Sequence, residues 1–222
     1  NNPRYSVYEN KYLIGKSSIE QENYDVLLFC VRDIQNAVIP DFIEIIEKYA
    51  FDECLNLENI RFSTNSKIRI FDDGFICCSP IEELSIPSSV VDLKDGWCGE
   101  TTKLNKITVI PGNPRYSVYD DKYLIGKSSM DIGNYDVLLF CNRNIETALI
   151  PDFIEVIENI EFPSSLVELK DGWCCDTKKL IKFSVIPKNK HFICLNGVFL
   201  IGKTEINSIN FDFLILARRN IK

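Results

Sequence analysis

The chain copies itself. Residues 2–47 return at 113–158, an offset of 111, with 34 of 46 aligned residues identical. Asn2-Pro-Arg-Tyr-Ser-Val-Tyr8 becomes Asn113-Pro-Arg-Tyr-Ser-Val-Tyr119, and Asn23-Tyr-Asp-Val-Leu-Leu-Phe-Cys30 becomes Asn134-Tyr-Asp-Val-Leu-Leu-Phe-Cys141. Long internal duplication marks an array of stacked units, each burying its apolar face against its neighbours, and not a globule around one cleft. The functional question therefore becomes which surface binds.

A shorter period of 23–24 residues runs beneath the duplication. Ile39-Pro40, Ile43 and Ile46 lead to Phe51-x-x-Cys54, then Leu57-x-x-Ile60-x-Phe62. One unit on, Ile70 leads to Phe75-x-x-Cys78, then Ile81-x-x-Leu84-x-Ile86-Pro87, and then Val90 and Leu93 lead to Leu104-x-x-Ile107-x-Val109. The alternation closing each L-x-x-L-x-L suits a short strand with one buried face. A following proline, which cannot donate to a ladder, suits the strand end. The expected fold is a mainly β solenoid with one short parallel strand per repeat and a few short helical or 3-10 turns. Aligning Ala50-Phe51 and Gly74-Phe75 with Trp97-Cys98 and Trp173-Cys174 makes a small-large pair into a large-small one, conserving volume. Trp97 and Trp173 are then core residues; the alternative is that both rings anchor a partner outside.

Three hairpin-type segments interrupt the repeats. In the third, Phe192-Ile-Cys-Leu195 and Val198-Phe-Leu-Ile201 flank Asn196-Gly197, a strong signal for a type I′ turn. Glu9-Asn10 and Asp120-Asp121 occupy those places in the other copies, and Tyr12–Gly15 is expected to pair with Asp25–Phe29 across a variable polar linker. The organisation expected is one solenoid over 1–222: hairpin-type segments at 1–36, 112–147 and 188–222, repeats at 37–111 and 148–187. Ile150 to Phe162 is only half a repeat, so a kink or tightened turn is expected there. Both chain ends fall inside a unit, which predicts a fragment of a longer array with end-to-end self-association.

The net charge of −7 argues against nucleic acid, whose phosphates would be repelled. No run of about 18 apolar residues exists, so no membrane span is expected. His191 is the one histidine, with no G-x-S-x-G elbow or neighbouring base, and Ile-Gly-Lys at 14–16, 125–127 and 201–203 reads as a strand end and not a phosphate loop. No catalytic or cofactor-binding residue is assigned. The nine cysteines are odd in number and mostly occupy apolar repeat positions, so packed thiols are expected. A Cys54–Cys78 disulfide between equivalent positions is the alternative. No metal site is assigned: C-x-x-C is absent, and Cys77-Cys78 and Cys174-Cys175 are adjacent pairs expected to point to opposite sides of a strand.

Residues 37–60 (Ala37-Val-Ile-Pro-Asp-Phe-Ile-Glu-Ile-Ile46, Tyr49-Ala-Phe51, Cys54, Leu57, Ile60) resemble the BspA-type leucine-rich repeat nearly in full. Residues 62–86 and 84–109 resemble it less completely, with Thr101 and Thr177 in place of the second-motif Cys. The resemblance implies a curved solenoid with a parallel sheet on one face. It also implies kinship with non-enzymatic surface molecules of bacteria and parasitic protists that bind host, matrix or cell-surface proteins.

Within L-x-x-L-x-L the x positions of the strand face away from the core. They are Asn59 and Arg61, Glu83 and Ser85, Lys106 and Thr108, then Asn159 and Glu161, Lys182 and Ser184. Arg61, Glu83 and Lys106 are expected in adjacent strands with alternating sign, either relieving repulsion between rungs or docking a protein. The hairpin tyrosines (Tyr5, Tyr8, Tyr12, Tyr116, Tyr119 and Tyr123) form a rival surface. Three functions compete: a cell-surface adhesion module, an intracellular (cytoplasmic) scaffold of the same fold, and an enzyme.

Overall fold

A computed structural model describes residues 2–170, 173–174, 177–205 and 207–217, without the side chains of Asn159 and Ile181. Cys175 and Ile221-Lys222 lie outside the described residues. The contacts divide into two compact units, 1–114 and 115–222.

The first unit opens with three antiparallel strands, β1 (Tyr5–Tyr8), β2 (Tyr12–Gly15) and β3 (Val26–Cys30). Glu9 and Asn10 both have positive φ (51° and 55°), the signature of a type I′ turn, as have Asp120 and Asp121, and Asn196 and Gly197. Asn and Asp tolerate that region best among residues with a Cβ, which explains Asn10, Asp120, Asp121 and Asn196; Glu9 takes the same conformation without that preference. Tyr12 pairs with Cys30 and Gly15 with Val26, so the hairpin forms as expected but its third strand runs one residue further along, over Val26–Cys30 and not Asp25–Phe29, with a bulge at Leu13/Ile14. Gly15 lies opposite Tyr5, whose ring would stand 3.3 Å from an added Cβ, and Gly126 and Gly202 lie opposite Tyr116 and Phe192. At each glycine an added Cβ would meet an aliphatic side chain first (Leu28 at 2.9 Å, Leu139 at 2.8 Å, Ile215 at 2.7 Å) and the aromatic ring next, the physical reason for the repeated Ile-Gly-Lys.

Repeats follow, each with three sides. One side carries β4 (Asn36–Ile39), β6 (Asn59–Phe62), β8 (Glu83–Ile86) and β10 (Lys106–Val109). Two parallel ladders join β4 to β6 and β8 to β10, and β6 packs beside β8. Proline then turns the chain: the N–H of Ile43 donates to Pro40 O and that of Val90 to Pro87 O, seating both side chains inside. The second side carries β5 (Ile45–Ile46), which pairs with β3, and β7 (Ile70–Phe71), which pairs with β9 (Asp92–Leu93). The third side is a stack of turns. Among the described residues these are turns throughout, with no helical or 3-10 segment, which corrects that expectation.

The core lies where the three sides face inward. Phe71 and Phe75 stack with centroids 4.3 Å apart, Phe51 meets Phe75 edge-on at 5.9 Å, and Trp97 lies 6.1 Å from Phe71. Trp97 and Trp173 are both buried, as the volume argument requires. The register behind that argument is one residue off in the middle lap. Left-handed residues recur at Tyr49, Gly74 and Gly96, and again at Glu53, Cys78 and Glu100. Ala50, Phe75 and Trp97 are therefore equivalent, and Cys54 matches Ser79 and Thr101, each donating its N–H three residues back to Phe51, Ile76 and Cys98. The cause is a longer turn: Phe62 to Phe71 is nine residues, against seven from Ile39 to Ile46 and from Ile86 to Leu93. Cys54 and Cys78 do not face each other, and both are free thiols.

The second unit repeats the hairpin in β11 (Tyr116–Tyr119), β12 (Tyr123–Gly126) and β13 (Val137–Cys141). β14 (Thr147–Ala148) pairs with β16 (Glu168–Leu169). The half-length repeat makes no kink. Its missing residues are those that separate β5 from β6, so the two strands fuse into β15 (Val156–Phe162). β15 pairs with β13 through Val156 and Ile157 and with β17 (Lys179–Val185) along its length, giving a continuous five-stranded sheet. A third hairpin, β18 (Phe192–Leu195), β19 (Phe199–Gly202) and β20 (Phe213–Ala217), follows. Leu200 is fully buried in the same core as Phe162, Trp173 and Phe183.

Candidate functional site

The outward strand face of the first unit holds the sequence-derived candidates. In β4–β6, Asn36 lies opposite Asn59 and Val38 opposite Arg61; in β8–β10, Glu83 lies opposite Lys106 and Ser85 opposite Thr108. Asn59 Nδ2 donates to Asn36 Oδ1 at 2.9 Å, and the hydroxyls of Ser85 and Thr108 are 2.8 Å apart. Lys106 Nζ donates to both carboxylate oxygens of Glu83 at 3.1 Å. Each repeat therefore answers its neighbour's polar group with a complementary one, as cross-strand pairs do.

Arg61 departs from that scheme. Of the expected alternating-sign series, Glu83 and Lys106 meet but Arg61 does not join them, because alternate residues occupy different columns and the counterpart of Arg61 is Ser85. Arg61 is exposed opposite Val38, itself 58% exposed, and no ion-pair partner of Arg61 occurs among the described residues. Arg61 is thus a cation without an ion-pair partner among the described residues, beside an apolar side chain and near the Glu83–Lys106 pair.

In the second unit the candidates scatter. Asn159 pairs with Lys182 and Glu161 with Ser184 along β15–β17. The side chain of Asn159 lies outside the described residues, Lys182 is exposed, and Ser184 is half-buried. Glu161 is half-buried and held in an ion pair: its carboxylate accepts from Arg143 Nη2 at 2.6 Å and its carbonyl from Arg143 Nη1 at 2.7 Å. Fusing the two strands brought Glu161 over Arg143, a residue the hairpin copies carry for another purpose. In the first unit the corresponding Arg32 binds Ala50 O and lies 4.3 Å above the Phe29 ring.

The tyrosines divide by role. Tyr12 and Tyr123 are buried, and their hydroxyls accept the N–H of Val38 at 3.0 Å and of Leu149 at 3.3 Å. Burial pushes the Tyr12 phenol up to about 12. Tyr116 is buried, while Tyr5 and Tyr119 are exposed. Tyr119 meets Phe153 edge-on at 5.2 Å on the rim of a cleft of about 950 Å³, whose wall includes Lys122, Leu149 and Lys170. Lys122 and Lys170 there are paired with Asp120 and Glu168.

Cys30 and Cys54 form a buried thiol pair. The hydrogen bond from Cys30, then the guanidinium of Arg32 at 3.7 Å, hold Cys54 down to about 7, while Cys30 is pushed up. Both sulfurs are sealed from solvent. His191 stands half-buried just before β18.

Sequence reading missed a clamp that closes the variable linker. Asp25 accepts the N–H of Ser17 at 2.8 Å and its hydroxyl at 2.5 Å; Asp136 does the same for Ser128, and Asp212 for Thr204. The separation of eight is constant while the residues between change, which was the available signal. It also missed Asn189, whose Nδ2 binds Pro163 O and Leu166 O and whose Oδ1 accepts the N–H of His191 and Phe192.

Parallel rungs at a 23-residue spacing around an aliphatic and aromatic interior define a leucine-rich-repeat β solenoid. Residues 24–118 match the model of the BspA type leucine rich repeat region, in six copies. Among solved structures the chain is similar to the pneumococcal vaccine antigen PcpA, with 19% identity, a TM-score of 0.50, and coverage of 68% of this chain and 40% of that one. It is also similar to a leucine rich cell surface protein from Faecalibacterium prausnitzii, with 17% identity, a TM-score of 0.46, and coverage of 68% and 42%. This chain thus spans less than half the length of those two. No curated protein matches. The family and fold suggest protein–protein interaction and are typically non-enzymatic. Among the described residues, no helix is long and apolar enough to cross a membrane.

Proposed function

We propose that the chain is a protein-binding module of a cell-surface, BspA-like leucine-rich-repeat protein, acting in adhesion to a host or matrix protein through the outward strand face of its first unit. The observation that carries this is Arg61: an exposed guanidinium without an ion-pair partner among the described residues, beside the exposed Val38. An arginine fork with an apolar neighbour suits a carboxylate-bearing protein surface and is enriched at interface centres. The paired groups around it (Asn59, Glu83, Ser85, Lys106, Thr108) would form a polar rim. The second unit carries its own face of the same kind, with Lys182 and Ser184 on it, Asn159 at the matching backbone position and Glu161 paired with Arg143.

Adhesion rather than intracellular scaffolding rests on the family resemblance. A binding screen against matrix and cell-surface proteins, followed by Arg61→Glu and Lys106→Glu, tests the site; Arg61→Glu should weaken any ligand found by at least about tenfold. Unchanged affinity in both reversals would move the site to the cleft beside Tyr119 and Phe153. Labelling of intact versus permeabilised cells separates surface from cytoplasm.

A further inference from the structure

Cys77 and Cys78 are not on a strand. They occupy the turn stack, where Cys78 takes a left-handed φ of 58° and its N–H donates to Gly99 O in the next repeat at 3.2 Å. That conformation swings its side chain back, so the two sulfurs lie 3.5 Å apart on one side of the chain. Stacking adds carboxylates from both neighbours. Asp52 is the equivalent of Cys77 one repeat earlier, and a carboxylate oxygen of Asp52 and both sulfurs lie within 4.8 Å of one another. Glu100 is the equivalent of Cys78 one repeat later, with Oε2 3.6 Å from Cys78 Sγ. The third member of the Cys77 column is Gly99, whose missing Cβ would stand 3.9 Å from Cys77 Sγ. Space is left open beside the sulfur where any other residue would project.

We propose that Cys77, Cys78 and Asp52, with Glu100 as fourth ligand, form a binding site for one thiophilic divalent cation of the zinc class, tying three successive repeats together. In a tetrahedral zinc site with bonds of about 2.3 Å to sulfur and about 2.0–2.2 Å to carboxylate oxygen, ligand atoms lie ~3.5–3.8 Å apart. The sulfur–sulfur and sulfur–Glu100 separations fall near that range before any ion is present. Two soft and two hard anionic donors suit zinc, cadmium or cobalt better than calcium or magnesium, which take oxygen alone. Loading replaces the two thiol protons with the cation, and both protons leave to solvent.

The test uses the full chain, reduced and metal-free, titrated with cobalt(II) and zinc. The expected result is one cation per chain, with a thiolate-to-cobalt charge-transfer band that zinc displaces. Cys77→Ser and Cys78→Ser should each abolish the band, and Asp52→Asn should weaken binding roughly tenfold or more. Should those variants fail to fold, alkylation of the unaltered chain with peptide mapping decides: zinc should protect Cys77 and Cys78 at least about tenfold. Absence of cation binding, protection mapping to other cysteines, or unchanged cobalt binding by the Cys77→Ser/Cys78→Ser variant would each overturn the site.

Discussion

Glu83 and Lys106 face each other across the β8–β10 ladder, with both carboxylate oxygens 3.1 Å from the ammonium. Each side chain is more than half exposed, so water screens the pair. An exposed pair of this kind is worth about 0.2–1 kcal/mol. Lys106→Glu, which places two acids opposite each other, should lower unfolding stability by no more than about 1 kcal/mol in urea titration. A larger loss would show that the ladder depends on the pair and would disqualify the variant as a probe of partner binding.

The Arg143–Glu161 pair should behave oppositely. The Arg143 side chain is 3% exposed and that of Glu161 27%. Removing one partner from a buried pair strands the other charge, at about 3–5 kcal/mol. Partial exposure of Glu161 and its remaining carbonyl bond place Glu161→Ala nearer about 2–3 kcal/mol. Denaturant unfolding of the two variants should rank Glu161→Ala well above Lys106→Glu in cost.

Asn189 is buried and completes four hydrogen bonds between a repeat turn and the third hairpin. Asn189→Ala leaves two carbonyls and two N–H groups to find other partners, at about 2–3 kcal/mol. Thermal unfolding followed by tryptophan fluorescence, with Trp173 in the same unit, reads the loss. Asn189→Asp should rescue only in part, since its oxygens accept the two N–H groups but cannot donate to Pro163 and Leu166.

Acid should open the linker clamps. Burial tends to raise the Asp25 carboxyl, but hydrogen bonds from the Ser17 hydroxyl and N–H, with Gln21, outweigh it and hold the group below its ordinary 3.8. A depressed folded value means the stabilisation is complete above 3.8 and disappears as pH falls through the folded value. Asp212, lowered by the N–H and hydroxyl of Thr204, acts in the same window. Asp25→Asn should therefore flatten the acid limb of the stability curve below about pH 4 while leaving the neutral limb parallel. An unchanged acid limb would assign that loss to other carboxylates.

Much of the fold was legible because side-chain periodicity records which face is buried. Ile60, Leu84 and Ile107 point inward from their strands, and Asn59, Glu83 and Lys106 outward. The I′ turns were legible because few residue types tolerate two positive φ values in succession. The middle-lap register was not. Phe75-x-x-Cys78 imitates Phe51-x-x-Cys54, but a turn two residues longer between Phe62 and Phe71, with one residue recovered between Ser79 and Glu83, leaves it one residue out of register. The same slip concealed the grouping of Cys77 and Cys78 with Asp52.

By itself the sequence determined a stack of β rungs with an apolar interior and identified the residues on its outer ladder, because both follow from local alternation and the spacing of Ile, Leu and Phe. The pairing of Glu83 with Lys106 was legible in the repeat register, but only the tertiary structure decided that Glu161 meets Arg143 and that Arg61 has no counter-charge among the described residues. Those pairings depend on turn lengths and on a strand fusion across the shortened repeat, and a change of one or two residues there shifts every neighbour between laps while leaving the periodic pattern intact.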